Sequence, residues 1–216
     1  MKMTQGPGLA AQARRQIVAR IFDGRLASGA LLQEASLGQE LGMSRTPVRE
    51  AIKRIESEGL AVRDGRFTRV RKPSAAEVEE IFFLRLQLEP RATRAAVALP
   101  EYKLSAMEAR VEALVAGRST EDLWTVDDDF HDMMLIAANS VAMREVVQGL
   151  RRRTSVFDAG QVPERYMRGC EEHLAIVVAL RTGDGEGAAA SMAVHLAHAR
   201  DAILQRLSDP SVGSET

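Results

Sequence analysis

A chain of 216 residues has room for two domains, and 45% hydrophobic with 27% charged residues is the composition of a folded protein in water, which excludes a disordered chain. No apolar run is long enough to span a bilayer and the first twenty residues lack a signal-peptide core, so no membrane role is expected and the cytoplasm is the expected compartment. The single cysteine, Cys170, excludes an intrachain disulfide and a cysteine-based zinc finger. The net charge of −1 conceals an asymmetry: residues 1–72 carry 14 Lys/Arg against 7 Asp/Glu, whereas residues 73–216 carry 15 against 23. The front end is built to meet a polyanion and the back end is not.

In chain order, residues 1–8, with Gly6, Pro7 and Gly8, read as a loose arm. A helix is predicted from Leu9 to Asp23, with Ile17, Val18, Ile21 and Phe22 inward and Gly24 stopping it. After a short loop, Glu34 to Leu41 reads as a compact helix in which Gly38 lets a following helix cross closely. Gly42 then frees the backbone for a sharp turn. Ser44 or Thr46 can cap the next helix, and Pro47 fits its first turn. Val48, Ala51, Ile52 and Ile55 form its apolar stripe, while Arg45, Arg49 and Lys53 line another face. Such a helix fits a DNA groove, where Arg takes guanine O6 and N7 by two hydrogen bonds; it equally fits a surface helix with a solvated basic face. Helix, glycine turn and cationic helix make the helix-turn-helix arrangement.

Beyond Gly59, Leu60, Val62, Phe67 and Val70 flank an Asp64-Gly65 hairpin signal, which predicts a two-stranded wing. Arg63, Arg66, Arg69 and Arg71 on it can reach phosphates or a minor groove, or simply keep an edge strand soluble. Lys72-Pro73-Ser74 closes this first domain, residues 1–72. Residues 73–208 read as helices only. Ser74 and Glu77 form a capping box ahead of Val78, Ile81, Phe82, Leu84 and Leu88, in a helix reaching Leu99 and bent near Pro90. Helices follow over residues 100–117, 119–139, 141–158, 163–183 and 184–207, with residues 209–216 as a flexible tail. The fold class is mainly α: an N-terminal winged helix-turn-helix and a C-terminal, all-helical antiparallel bundle of about six helices.

In the bundle, Asp127 and His131 stand four apart on one helical face, and His173 and His195 lie on separate later helices. One carboxylate and three imidazoles on inward faces can converge on a divalent cation, Zn, Ni, Mn or Fe. The same histidines also fit hydrogen-bonded core or surface positions. His198, one turn beyond His195, is a partner of the ligands or a false ligand; Asp128 and Asp129 point elsewhere round the helix. Arg85, among apolar neighbours, needs either an internal acid such as Glu89 or a carboxylate ligand. Arg151-Arg152-Arg153 reads as a solvated face or an interface, and Cys170 as buried packing.

Residues 31–60, LLQEASLGQELGMSRTPVREAIKRIESEGL, closely resemble the DNA-binding domain of the GntR family of bacterial transcription regulators, SRTPVREA being among its most specific strings. The helical remainder resembles the FCD-type ligand-binding domain of the FadR subfamily. The resemblance implies a homodimeric regulator, usually a repressor, that binds a short inverted repeat in double-stranded DNA and changes its grip when a small molecule enters the helical domain. It implies base-reading roles for Arg45 and Arg49, a phosphate or base contact for Thr46 beside them, and an acidic residue at Glu34 opening the second helix; Lys53 and Arg66 complete the expected DNA-binding set. The wing departs from the pattern, with Phe67 where the family often has glycine. Metal-binding members show Asp-x3-His followed by two histidines, which Asp127, His131, His173 and His195 match. The effector implied is a small organic acid, held at open metal positions and by Arg85. A regulator that senses the metal itself, a metallo-enzyme using the Asp/His site to activate water, and a nonspecific chromosome-associated protein are the competing readings, the enzyme lacking an obvious base beside the ligands.

Overall fold

In a computed structural model the described residues are 7–121, 123–154 and 163–208. They form two compact units, residues 7–73 with 151–154 and residues 74–150 with 163–208. The greater part of the expected N-terminal arm, residues 155–158 of the expected fourth bundle helix and the tail at 209–216 lie outside the described residues.

The first unit contains α1 (Pro7–Phe22), α2 (Glu34–Leu41), α3 (Arg45–Ser57), β1 (Ala61–Asp64) and β2 (Phe67–Val70). Helix α1 packs on α3, and their inner residues Ala13, Ile17, Ile21, Val48, Ala51 and Ile55 are wholly buried. Each large apolar side chain taken from water there contributes about 1.5–3 kcal/mol. Val18 and Phe22, expected inward, are half-buried, because the 3.6-residue period turns them to the flank of the Ala13-Ile17-Ile21 stripe.

Helix α2 ends on Gly42, whose φ of 64° places it in the left-handed region. Gly38 earns its place through the turn rather than through a crossing helix: a Cβ there would stand 2.8 Å from the carbonyl oxygen of Met43, whose own N–H donates to the Gly38 carbonyl at 2.8 Å. Ser44 is the residue that precedes α3, and Pro47 sits in its first turn. The wing is an antiparallel pair in which Ala61 faces Val70 and Asp64 faces Phe67, so the turn is Gly65-Arg66. Leu60, Ala61 and Val70 are buried, whereas Val62 and Phe67 are exposed. A two-stranded sheet covered on one face buries alternate residues only, and Val62 falls on the open side.

The second unit contains α4 (Ala75–Ala95), a 3-10 turn (Ala96–Ala98), α5 (Glu101–Val115), α6 (Leu123–Ala137), α7 (Val141–Thr154, its last turn counted with the first unit), α8 (Pro163–Arg181) and α9 (Gly185–Ser208). Ser74 Oγ accepts from the Glu77 N–H at 3.1 Å, one half of the expected capping box. Helix α4 packs against α6 and α9, α8 against α9, and α5 against α8. The buried face of α4 carries Val78, Ile81, Phe82, Arg85, Glu89, Ala92 and Thr93, while Leu84 and Phe83 are exposed. Helical spacing from Val78 and Ile81 leads to Arg85 and Glu89 rather than Leu84, so two charged groups enter the core. Among the described residues no helix is long and apolar enough to cross a membrane.

Gly38→Ala is expected to destabilise the first unit: displacing the Met43 carbonyl costs about 1–3 kcal/mol, against about 1 kcal/mol gained from helix propensity. Urea unfolding followed by circular dichroism should show a lowered midpoint, and a raised one would contradict the contact.

Candidate metal centre and nucleic-acid interface

Asp127 and His131 lie one turn apart on α6, His173 on α8 and His195 on α9; α4 packs against both α6 and α9, and α8 against α9, which brings the four together. The three imidazoles are buried, with one ring nitrogen of each within 4.8 Å of the others. His173 Nε2 and His195 Nε2 are 3.3 Å apart, and Asp127 Oδ1 lies 3.7 Å from His173 Nε2 and 4.0 Å from His131 Nε2. A tetrahedral ion with bonds of about 2.1 Å has ligand atoms about 3.4 Å apart, so these separations are those of a cation cage drawn slightly open. One oxygen and three nitrogens suit a borderline divalent ion and disfavour a hard one such as Ca²⁺. The residues present fit the group that the sequence implied.

Behind the cage stand two carboxylates. Glu89 Oε2 lies 2.5 Å from His131 Nδ1, and Glu172 Oε2 lies 2.8 Å from His195 Nδ1. A carboxylate on Nδ1 holds the proton there and leaves the Nε2 lone pair facing inward, the tautomer a ligand needs. Phe130 stacks on His173 with ring centres 3.9 Å apart, fixing the third ring by contact. Burial first, and then the Arg165 cation, push His195 below its ordinary value and outweigh Glu172, so the ring is neutral and able to bind. Burial opposes ionisation of Glu172, yet hydrogen bonds from His195, Arg165 and His198 outweigh it and hold its carboxyl at about 2.

Arg85 donates from Nε to Glu89 Oε1 at 2.6 Å, and its guanidinium lies over the Phe82 ring. Of the two partners the sequence allowed it, this is the internal acid. His198 is exposed and its Nδ1 lies 2.7 Å from Glu172 Oε1, so it supports the cage from outside. Asp129 faces outward and pairs with Arg110, as helical spacing predicted. The roles of Glu89 and Glu172 toward the histidines, and Arg165 altogether, were missed. Arg165 donates to Glu172 at 2.5 Å and to the His195 carbonyl at 3.0 Å, while its Nε and Nη1 are buried with no hydrogen-bond partner among the described residues. The only signals were adjacency of Glu172 to His173 and the four-residue spacing of Arg85 and Glu89.

On the first unit Arg45, Thr46, Arg49 and Lys53 are all exposed along α3. Arg49 Nε and Nη2 donate to the two oxygens of Glu34 at 2.8 Å each, and Lys53 pairs with Glu50 at 3.1 Å. A cleft of about 320 Å³ between α2, α3 and the wing is lined by Glu34, Arg45, Arg63, Arg66 and Phe67. Arg66 lies 4.9 Å from the centre of the Phe67 ring. A cationic helix face beside an arginine-bearing hairpin is the surface of a winged-helix DNA-binding protein.

Comparison with known proteins narrows this class. Residues 9–70 match the model for bacterial regulatory proteins of the gntR family and residues 80–198 match that for the FCD domain; the chain belongs to the GntR family of transcriptional regulators, in its FadR subfamily. It is 29% identical over 190 residues to the HTH-type transcriptional repressor RspR of Escherichia coli, covering 83% of this chain and 82% of that one. A protein of Paenarthrobacter nicotinovorans named a probable D-xylose utilization operon transcriptional repressor is 29% identical over 198 residues, covering 88% and 86%. Among solved structures, E. coli McbR/YncC superposes with a TM-score of 0.71 at 24% identity, covering 93% of this chain and 99% of that one, a likeness of fold. The first two of these relatives are named as transcriptional repressors.

Two outcomes follow from the cage. Glu172→Gln should weaken divalent metal binding about 10–100-fold in a folded chain, measured by competition with a chromophoric chelator, and Glu89→Gln should do so with a loss of stability as well, because Arg85 is left buried without its counter-charge. Because the fold keeps His195 neutral below its ordinary value of 6.5, the unfolded chain binds more protons there. Stability of the metal-free chain should therefore fall as the pH drops below 6.5 and His195→Gln should flatten that part of the thermal-denaturation profile.

Proposed function

We propose that this chain is a ligand-responsive repressor whose helical unit holds a divalent cation on Asp127, His131, His173 and His195 and receives a small organic acid there. The observation that carries the reading is the convergence of three buried imidazoles, two of them backed by buried or half-buried carboxylates. A cation in that cage supplies a positive centre with coordination positions open to an oxyanion. Glu89 and Glu172 hold the rings in register, and Arg85 fixes Glu89 from behind by donating to its other oxygen. Arg165, which lies against His195 with two buried donors unpartnered among the described residues, is the cation assigned to a carboxylate of the guest.

Arg45 and Arg49 read guanines in the major groove, Thr46 and Lys53 hold phosphates beside them, and Arg66 on the wing adds a backbone contact. Two copies of the reading head in a homodimer match the two halves of a short inverted repeat. The guest acts by favouring one arrangement of the two heads, and by linkage DNA alters the affinity for the guest by the same factor.

The test uses duplexes selected by the wild-type chain from a random pool. Arg49→Ala should sharply lower the preference for selected over scrambled duplex, leaving the part that Arg45 supplies, while the chain stays folded. His173→Ala should bind the selected duplex normally but lose both metal and any response to a panel of small carboxylic acids. If operator affinity follows added metal alone, with no acid needed, the chain is a metal sensor and the acid reading is wrong.

A further inference from the structure

The ion pair between Glu34 and Arg49 joins the first turn of α2 to the cationic face of α3, and its geometry matters more than its strength. A guanidinium has two forked edges, one formed by Nε and Nη2 and the other by Nη1 and Nη2. Glu34 occupies the first edge, with both contacts at 2.8 Å. The second edge stays available, and it is the one that meets guanine O6 and N7 end-on. Glu34 itself stands at the N-terminal end of an eight-residue helix that suits a carboxylate, and the Arg49 hydrogen bond, opposed by slight burial and aided by the charges of Arg49, Arg45 and Lys53, holds it ionised.

An acid here is costly for a protein that must approach phosphates. It removes one positive charge per reading head from the surface that meets DNA, and so weakens binding to every sequence. Arg49 is also half-exposed, so the pair contributes little to folding. The helix end accounts for an acid at this position, but neither it nor affinity accounts for the two-point grip on Arg49.

We propose that Glu34 is a positioning residue for base reading: it clamps the side edge of Arg49 so that the opposite fork is presented to one guanine, and it exchanges general affinity for discrimination. The proposal rests on the reading of Arg49 as a base contact. It makes Glu34 act through Arg49 and not by its own contact with a base.

Duplexes selected by the wild-type chain from a random pool, and scrambled duplexes of the same composition, are the probes. Glu34→Gln keeps the shape but loses the charge and the second acceptor. It should lower the selected-to-scrambled affinity ratio roughly tenfold, tighten binding to the scrambled duplex, and relax preference at a single position per half-site. In the Arg49→Ala background Glu34→Gln should change the ratio no further. Circular dichroism and the melting temperature should match wild type, which separates positioning from folding. Undiminished discrimination by Glu34→Gln overturns the proposal. So does an equal loss in the Arg49→Ala background, which would make Glu34 a direct base contact. Arg49→Ala that discriminates like wild type would instead remove the reading beneath it.

Discussion

Glu89 is the hinge of the helical unit. It is 2% exposed, with one oxygen on Arg85 and the other on His131. Burying these groups costs several kcal/mol of desolvation per ion, which their mutual attraction at best repays, so apolar residues of the same volume would hold α4 against α6 as well. The triad is better understood as a constraint on direction. It fixes which nitrogen of His131 carries the proton and where the other nitrogen points. Glu172 does the same for His195 from α8, and Phe130 fixes His173 by stacking. Three rings from three helices are thus aimed inward by groups that do not themselves enter the cage.

The reading head repeats that logic on an exposed surface. A carboxylate from a neighbouring helix takes one edge of the Arg49 guanidinium, the cation proposed to read a base, and leaves the other edge open. In both places the acid lies outside the contact it supports. Charge follows the division of labour: the cations of the front end are gathered on α3 and the wing, whereas the acids of the back end include buried Glu89 and half-buried Glu172, which orient the histidines.

Much of this was legible in the sequence. Periodicity gave each helix to within a few residues, because capping at Ser74, the glycine at Gly42 and the Asp64-Gly65 turn leave local signatures. That Asp127, His131, His173 and His195 come together was legible from spacing combined with the family resemblance. What stayed hidden has two physical causes. The rule that apolar side chains go inside placed Leu84 inward, yet the period of α4 exposes it and buries Arg85 with Glu89, one of the two partners open to the arginine. The carboxylates behind the rings were illegible because His131 and Glu89 stand 42 residues apart, on helices brought together by packing alone. The strands of the wing were legible from the apolar residues flanking its turn, although two of these, Phe67 and Val62, face solvent.

The central claim is that the imidazoles of His131, His173 and His195 form a cation cage. Native mass spectrometry of the chain purified without chelator measures it directly. The account predicts one divalent ion per protomer, removed by a chelator and restored by added metal with no change in helix content. A chain that stays metal-free in the presence of Zn, Ni, Mn and Fe would contradict it.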